Sequence, residues 1–188
     1  DHEHVPTEFL RALMEEGVNV QPHPEALQYA QDKLLMRAAV ERLGLPNPRW
    51  AQVSTLDELL AFGDGIGWPV VLKTPRGGYD GKGVLVLDSP EEARERSAAW
   101  FEQLPSRTDF SALLAEEKVP FTRELSALVA RRESGEVRPW PVVETIQVNS
   151  ICDEVIAPAQ NLDSEIAEAA AAAAVTIASE LGVTGVMA

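Results

Sequence analysis

A glycine-rich segment between two short apolar runs constrains the fold of this 188-residue chain more than any other feature. The runs, residues 69–74 and 84–87, have the length and composition of buried strands. The four glycines between them let backbone N–H groups turn toward one point and let the backbone approach a ligand closely. The pattern predicts a β-hairpin whose loop binds a ligand, and phosphate oxygens are natural occupants of such a loop. These glycines are Gly77, Gly78, Gly81 and Gly83.

Basic residues accompany the loop. Lys73 ends the first apolar strand, where an unpaired ammonium would be costly, and a phosphate partner would offset that cost. Arg76 and Lys82 add positive charge. On the glycines alone, a flexible hairpin with solvated basic residues is an equally good interpretation, but the strand-end lysine favours phosphate binding. The segment is not a Walker loop, because no helix bearing Gly-Lys-Ser/Thr follows it.

Composition limits the partners of this chain. The net charge of −14 repels nucleic acid and anionic membranes, so neither is a predicted partner, although a few local Lys and Arg residues can still bind a small nucleotide. The single cysteine, Cys152, leaves no internal disulfide and suits a reducing cytoplasm. The longest strongly apolar helical stretch, residues 169–175, is too short to span a bilayer.

Periodicity and turn signals predict a mixed α+β order of elements rather than a continuous βαβ winding. We predict helices capped by Thr7, Ser54, Ser89 and Asp163 and a further helix over 26–43 that breaks near residues 31–33. Predicted strands cover residues 18–20, 50–53, 69–74, 84–87, 113–116, 124–132, 137–147 and a final run from residue 185. Two prolines, Pro46 and Pro48, mark a linker near a domain boundary.

Two further segments carry charged residues that could contact a ligand. Lys33 lies on a helix just before the proline linker, and Glu116 and Glu117 follow an apolar strand. By itself Lys33 is almost as well interpreted as a solvated helical lysine. The glutamate pair by itself is better interpreted as a solvated acidic turn, since such pairs are common on surfaces. Their order along the chain, relative to the glycine-rich loop, favours a functional role for both.

Taken together, these segments resemble the 5-(carboxyamino)imidazole ribonucleotide synthases of the ATP-grasp superfamily. The resemblance covers essentially the whole chain. Its most specific feature is the pair Tyr79-Asp80 inside the glycine loop, because the related biotin carboxylases carry glycines there. The matching segments are Gln31-Asp32-Lys33, Val71-Leu72-Lys73, residues 77–83, Glu116, Arg123-Glu124-Leu125-Ser126, residues 140–145, Ala157-Pro158-Ala159 and residues 181–186.

The resemblance implies an α+β chain with an ATP-grasp fold, in which helices flank mixed and antiparallel sheets. Residues 1–45 would be the end of a preceding α/β domain together with its connecting helix. Residues 46–188 would be the ATP-grasp domain, with a small glycine-loop subdomain at about 50–112 and the start of a larger subdomain at about 113–188. Because both ends of the chain look cut, we predict a fragment of a longer protein.

The resemblance also implies roles for individual residues. ATP would be held by lysines at its phosphates, by the glycine loop, by a hinge that edges the adenine and by a glutamate that accepts from the ribose hydroxyls. The implied ATP ligands are Lys33, Lys73, Gly77, Gly78, Gly81, Lys82, Gly83, Glu116, Glu117, Lys118, Val119 and Glu124. Tyr79 and Asp80 would be catalytic and, with Lys82 and Glu3, would contact the ribonucleotide substrate.

The implied activity is the ATP-dependent carboxylation of 5-aminoimidazole ribonucleotide with bicarbonate, giving ADP and phosphate, in purine synthesis. ATP and Mg²⁺ would be the cofactors of a cytoplasmic homodimer. The magnesium ligands of the family would lie beyond Ala188, so we predict no metal site and no catalysis by this chain alone. Another ATP-grasp carboxylase, a carboxylate–amine ligase such as a formate-dependent purine enzyme, or a non-catalytic nucleotide-binding fragment are the alternatives. Tyr79-Asp80 argues against the other enzymes.

Overall fold

The structure is a computed structural model that describes residues 4–78, 82–149 and 151–188. Its helices are α1 (Thr7–Glu15), α2 (Pro24–Gln31), α3 (Lys33–Arg42), α4 (Leu56–Ile66), α5 (Pro90–Gln103) and α6 (Ser164–Glu180), and one 3₁₀ helix covers Leu104–Ser106. Its strands are β1 (Trp50–Val53), β2 (Val70–Lys73), β3 (Val84–Leu87), β4 (Leu113–Glu117), β5 (Glu124–Ser126), β6 (Val129–Arg131), β7 (Val137–Pro139), β8 (Val143–Val148), β9 (Ile151–Ile156) and β10 (Gly185–Met187). The α+β class and the antiparallel sheets are confirmed.

The chain forms two compact units. We call Asp32–Glu41 with Pro46–Pro120 the loop unit, because it contains the glycine-rich loop, and Asp1–Gln31, Arg42–Leu45 and Phe121–Ala188 the terminal unit. Within the described residues, no helix is long and apolar enough to cross a membrane.

The loop unit is built on a four-stranded antiparallel sheet in the order β1-β4-β2-β3. Side chains alternate between the two faces of each strand. On β2, Val70 and Leu72 are fully buried in the core that this sheet shares with α4 and α5, so Lys73 points to the opposite face. On β4, Leu113 and Ala115 join the same core, and Glu116 therefore shares the face of Lys73.

Polar side chains begin the two helices that cover the core of the loop unit. The hydroxyl of Thr55 accepts from the N–H of Glu58 at the start of α4, and Ser89 caps α5 in the same way. The predicted cap at Ser54 is therefore wrong by one residue. Gly63 allows α4 to pack closely, because a Cβ atom there would lie 2.3 Å from a ring carbon of Trp68.

The terminal unit contains two three-stranded sheets. The sheet β10-β6-β7 packs against α6 around Val129, Ala174 and Ala178, and the second sheet has the order β5-β8-β9. Each of the two long strands predicted over 124–132 and 137–147 is in fact a pair of strands that lie in different sheets. The segment Pro139-Trp140-Pro141 explains the second interruption, because proline cannot donate a ladder hydrogen bond.

Other sequence predictions for the terminal unit are also corrected. Strand β9 was not predicted, and residues 18–20, all of them described, lie outside any strand. Pro6 occupies the N-cap position of α1, so Thr7 is the first helical residue rather than the cap. The cap of α6 by Asp163 and the break between α2 and α3 are confirmed.

The sequence predicts a subdomain boundary at about residue 113, and the sheet of the loop unit extends past that residue because strand β4 pairs with both β1 and β2. The loop unit continues to Pro120 and also includes α3 except for Arg42. The assignment of residues 1–45 to a preceding domain stays a prediction.

Candidate nucleotide-binding site

Three charged side chains meet on the face of the loop-unit sheet that carries Lys73. The ammonium of Lys73 lies 2.5 Å from one carboxylate oxygen of Glu116, and Nε of Arg37 donates to the other oxygen. Glu116 is only 3% exposed, so its carboxylate is buried with both oxygens engaged. Such burial is tolerated because each oxygen lies against a positively charged partner. Two cations and one carboxylate leave the cluster with one net positive charge.

The Lys73–Glu116 pair changes the argument made from the sequence. Lys73 is a strand-end lysine as predicted, but its ammonium has a protein partner. A phosphate is therefore not required to offset its burial. The cluster instead favours an anion through its surplus positive charge and through the second lysine nearby.

Asn47 forms two hydrogen bonds with Arg37. Nη1 of Arg37 donates to Oδ1 of Asn47 over 3.1 Å, and Nδ2 of Asn47 donates to the carbonyl oxygen of Arg37 over 3.0 Å. The planar guanidinium therefore bonds Asn47 and Glu116 through different nitrogens, which fixes its orientation. The sequence analysis missed this residue, although Arg37 lies four positions after Lys33 and so on the same side of α3.

The beginning of α3 is tied to the beginning of the glycine-rich loop. Asp32 caps α3 with one carboxylate oxygen and pairs with Nε of Arg76 at 2.9 Å with the other. The backbone N–H of Lys33 donates to the carbonyl oxygen of Pro75, and its ammonium donates to that of Gly77 over 3.0 Å. These contacts place Lys33 beside the glycine-rich loop.

The environment of Lys33 disfavours its positive charge. Partial burial is the main reason that the pKa of Lys33 lies below the ordinary lysine value, and the nearby charge of Lys73 lowers it further. Asp32 and Glu116 act in the opposite direction with smaller effects. An anion placed against both lysines would therefore favour the protonated form of Lys33.

The described part of the glycine-rich loop needs glycine at two positions. The N–H of Thr74 donates to the carbonyl oxygen of Gly83, which closes the base of the hairpin. Gly78 and Gly83 both have positive φ, and a Cβ atom would lie 2.7 Å from the carbonyl oxygen of Lys82 or 2.5 Å from Oγ1 of Thr74, respectively. The predicted site residues Tyr79, Asp80, Gly81 and Glu3 lie outside the described residues.

The predicted hinge, residues 116–119, begins with the last two residues of β4. The carboxylate of Glu117 lies 2.6 Å from Nε of Arg49 and also accepts from the Arg49 backbone N–H, and these bonds lower the pKa of Glu117. Lys118 and Val119 are exposed. The predicted ribose ligand, Glu124, begins β5 and lies in the terminal unit rather than the loop unit.

The described residues do not fit a magnesium site. They contain no group of three His, Cys, Asp or Glu side chains placed to hold a metal ion. The carboxylate that pairs with Lys73, that of Glu116, already uses both oxygens on Lys73 and Arg37. Magnesium prefers carboxylate oxygens, phosphates and water in near-octahedral geometry, which this cluster does not offer.

The sequence of this chain is similar to those of known proteins. The model of the ATP-grasp domain family matches residues 38–188. The N5-carboxyaminoimidazole ribonucleotide synthase of Corynebacterium ammoniagenes is 47% identical over 188 residues, which are 100% of this chain and 44% of that protein.

Solved structures give the same result. A crystal structure of the ADP complex of an N5-carboxyaminoimidazole ribonucleotide synthetase aligns with a TM-score of 0.86 and 32% identity, over 99% of this chain and 47% of that one. The Aspergillus clavatus enzyme in complex with ADP and 5-aminoimidazole ribonucleotide aligns with a TM-score of 0.80 and 28% identity, over 98% and 45%. The chain spans less than half the length of each of these relatives.

Proposed function

Because this chain belongs to the ATP-grasp family, we propose that its loop unit binds the phosphates of ATP and that the full-length protein is an ATP-dependent ligase. The reaction would carboxylate 5-aminoimidazole ribonucleotide with bicarbonate, giving N5-carboxyaminoimidazole ribonucleotide, ADP and phosphate. The observation that carries the proposal is the convergence of Lys33 and Lys73 beside the glycine-rich loop. Similarity to synthases over the entire chain supports the choice of substrate.

Each described residue has a definite part in this proposal. The ammonium groups of Lys33 and Lys73 would contact phosphate oxygens and offset charge on the transferred phosphoryl group. Backbone N–H groups of Gly77, Gly78 and Gly83 would line the same oxygens, with Lys82 at the edge of the loop. Closure of the loop over ATP would exclude water from the reacting phosphate. Magnesium, when bound, would add further charge neutralisation through ligands other than these residues.

The remaining assignments rest on the resemblance. The exposed residues Lys118 and Val119 would edge the adenine, and Glu124 would accept from the ribose hydroxyls. Tyr79, Asp80 and Glu3 would face the ribonucleotide. A cytoplasmic homodimer is proposed for the intact enzyme.

The catalytic assay tests the proposed reaction. We expect the full-length protein to release phosphate from ATP only when bicarbonate and 5-aminoimidazole ribonucleotide are both present.

Asp80→Asn is expected to leave the affinity for ATP near normal while it lowers ribonucleotide-dependent phosphate release. The reason is that an anion pointing into a phosphate-binding loop would repel ATP, so the proposed role of Asp80 is at the substrate amine and not at the phosphates.

Two results would contradict these assignments. Phosphate release that requires formate or another carboxylate in place of bicarbonate would assign the protein to a different ATP-grasp reaction. Tighter ATP binding by Asp80→Asn, with unchanged turnover, would place Asp80 at the phosphates.

The lowered pKa of Lys33 predicts how binding depends on pH. A phosphate ligand binds the protonated lysine, so affinity should be constant below the pKa of free Lys33 and should fall as the pH rises through it. Because that pKa lies below the ordinary lysine value, the decline should begin at a lower pH than an exposed lysine would give. Calorimetry with a non-hydrolysable ATP analogue in buffers of different ionisation enthalpy would show proton uptake in this range.

Lys33→Arg is the matched control for the pH prediction. Arginine keeps the positive charge throughout the range and so should remove this decline. The same decline in Lys33→Arg and in the unaltered protein would assign it to another group.

A further inference from the structure

We propose that Arg37 is a positioning residue that neutralises the carboxylate of Glu116. The positive charge of Lys73 then remains available to bind a phosphate ligand. This inference rests on the proposed nucleotide site and adds to it a residue that contacts no ligand. Arg37 would act through Glu116, because Arg37 contacts one carboxylate oxygen of Glu116 and Lys73 contacts the other.

The charges of the cluster explain why Lys73 and Glu116 without Arg37 would not attract an anion. Lys73 and Glu116 alone would be a neutral pair, because a single buried carboxylate balances a single ammonium at 2.5 Å. That carboxylate would also repel any phosphate approaching Lys73. With Arg37 on the other oxygen, Glu116 is already balanced, and the ammonium of Lys73 is the charge left over for an anion.

The geometry is suited to this role. The side chain of Glu116 is almost completely buried, whereas those of Lys73 and Arg37 are each about one quarter exposed, at 24% and 27%. A carboxylate with so little contact with water depends on its partners for compensation, since solvent screens it poorly. The side chain of Asn47 accepts a hydrogen bond from the Arg37 guanidinium and donates one to the Arg37 carbonyl oxygen. These two bonds keep the guanidinium oriented toward Glu116.

A purely structural role for Arg37 makes a different prediction. If Arg37 only attached α3 to β4, the effect of its loss would be the same whether or not residue 116 carried a charge. If Arg37 neutralises Glu116, removal of the Glu116 charge should make Arg37 dispensable for phosphate binding. A double-mutant comparison separates the two roles.

The test uses Arg37→Met, Glu116→Gln and the double variant of the full-length protein, titrated with a non-hydrolysable ATP analogue and, separately, with adenosine. Arg37→Met should raise the Kd of the ATP analogue by at least about tenfold, because it leaves a buried charge without one of its partners. The Kd of adenosine, which has no phosphate, should change by less than about twofold. Adding Glu116→Gln to Arg37→Met should return the Kd of the analogue to within about threefold of that of Glu116→Gln alone.

Two further variants control for charge and for folding. Arg94→Met removes an exposed arginine from α5 in the same unit and should leave both Kd values unchanged. Arg37→Lys keeps the positive charge and should retain most of the affinity for the analogue, which tests the inference even if Arg37→Met fails to fold.

The possible outcomes are distinct. An unaltered protein that does not bind the ATP analogue would refute the proposed nucleotide site, and this inference with it. If the unaltered protein binds, the inference is overturned by unchanged binding in Arg37→Met. It is equally overturned by a loss that persists in the double variant, or by Arg37→Lys binding as weakly as a fully folded Arg37→Met.

Discussion

Replacement of Lys73 by alanine in the full-length protein is expected to weaken binding of a non-hydrolysable ATP analogue by about 2 kcal/mol or more, which corresponds to roughly thirtyfold in Kd. Part of this loss is the charge-assisted bond between the strand-end ammonium and a phosphate oxygen. The structure adds a second part, because Lys73 occupies one oxygen of Glu116. Without Lys73, that buried carboxylate would face the phosphates directly.

Titration calorimetry measures this effect. The matched control is Arg94→Ala, which removes one positive charge from the exposed surface of α5 and is expected to leave the affinity unchanged. Lys73→Ala in combination with Glu116→Gln should bind more tightly than Lys73→Ala alone, since the repulsive carboxylate is gone. An affinity of Lys73→Ala equal to that of the unaltered protein would remove Lys73 from the site.

Leu72→Ala is expected to lower the free energy of unfolding by about 3–4 kcal/mol, the range for a leucine lost from a core that cannot collapse around the cavity. Leu72 is 0% exposed, and its strand, β2, is hydrogen-bonded on both sides, to β3 and to β4. Both neighbouring strands and the two helices over the sheet would therefore line the cavity. Urea unfolding followed by tryptophan fluorescence measures the change, because Trp68 and Trp100 both contact this core.

The control for this effect is a leucine of the same unit that lies at the surface. Leu35 on α3 is 38% exposed, and its replacement by alanine should cost less than about 1 kcal/mol. A Leu72→Ala protein as stable as Leu35→Ala would show that β2 lies outside the cooperative core.

The sequence predicted the loop unit more accurately than the terminal unit. The predicted bounds of β1 and β3 agree with the structure, because short apolar runs there lie between strong turn signals. The predicted strands of the terminal unit were too long, since hydrophobicity continues across Pro139 and Pro141 while the hydrogen-bond ladder does not. Strand β9 was missed because Asp153 and Glu154 interrupt its apolar pattern.

Some residues of the candidate site could be selected from the sequence and others could not. Lys33 and Lys73 could be selected from the sequence because they accompany a loop with recognisable glycines. The partner of Glu116 could not, since Arg37 lies 79 positions away in the chain and only the fold brings the two together. Adjacent glutamates also suggest an exposed turn, whereas the structure buries Glu116 within β4 and pairs Glu117 with Arg49 at the end of that strand.

The position of β4 between β1 and β2 has a consequence for synthesis on the ribosome. Strands β1, β2 and β3 leave the ribosome first, but β1 cannot join the hairpin of β2 and β3 until the strand that separates them has arrived. A nascent chain that ends before Leu113 therefore holds only a two-stranded hairpin, which is marginal in water. The arriving strand also brings Glu116, the partner of Lys73 and Arg37. The sheet and its charge cluster are thus completed in the same event, and a nascent chain cannot present the cluster before its supporting sheet exists.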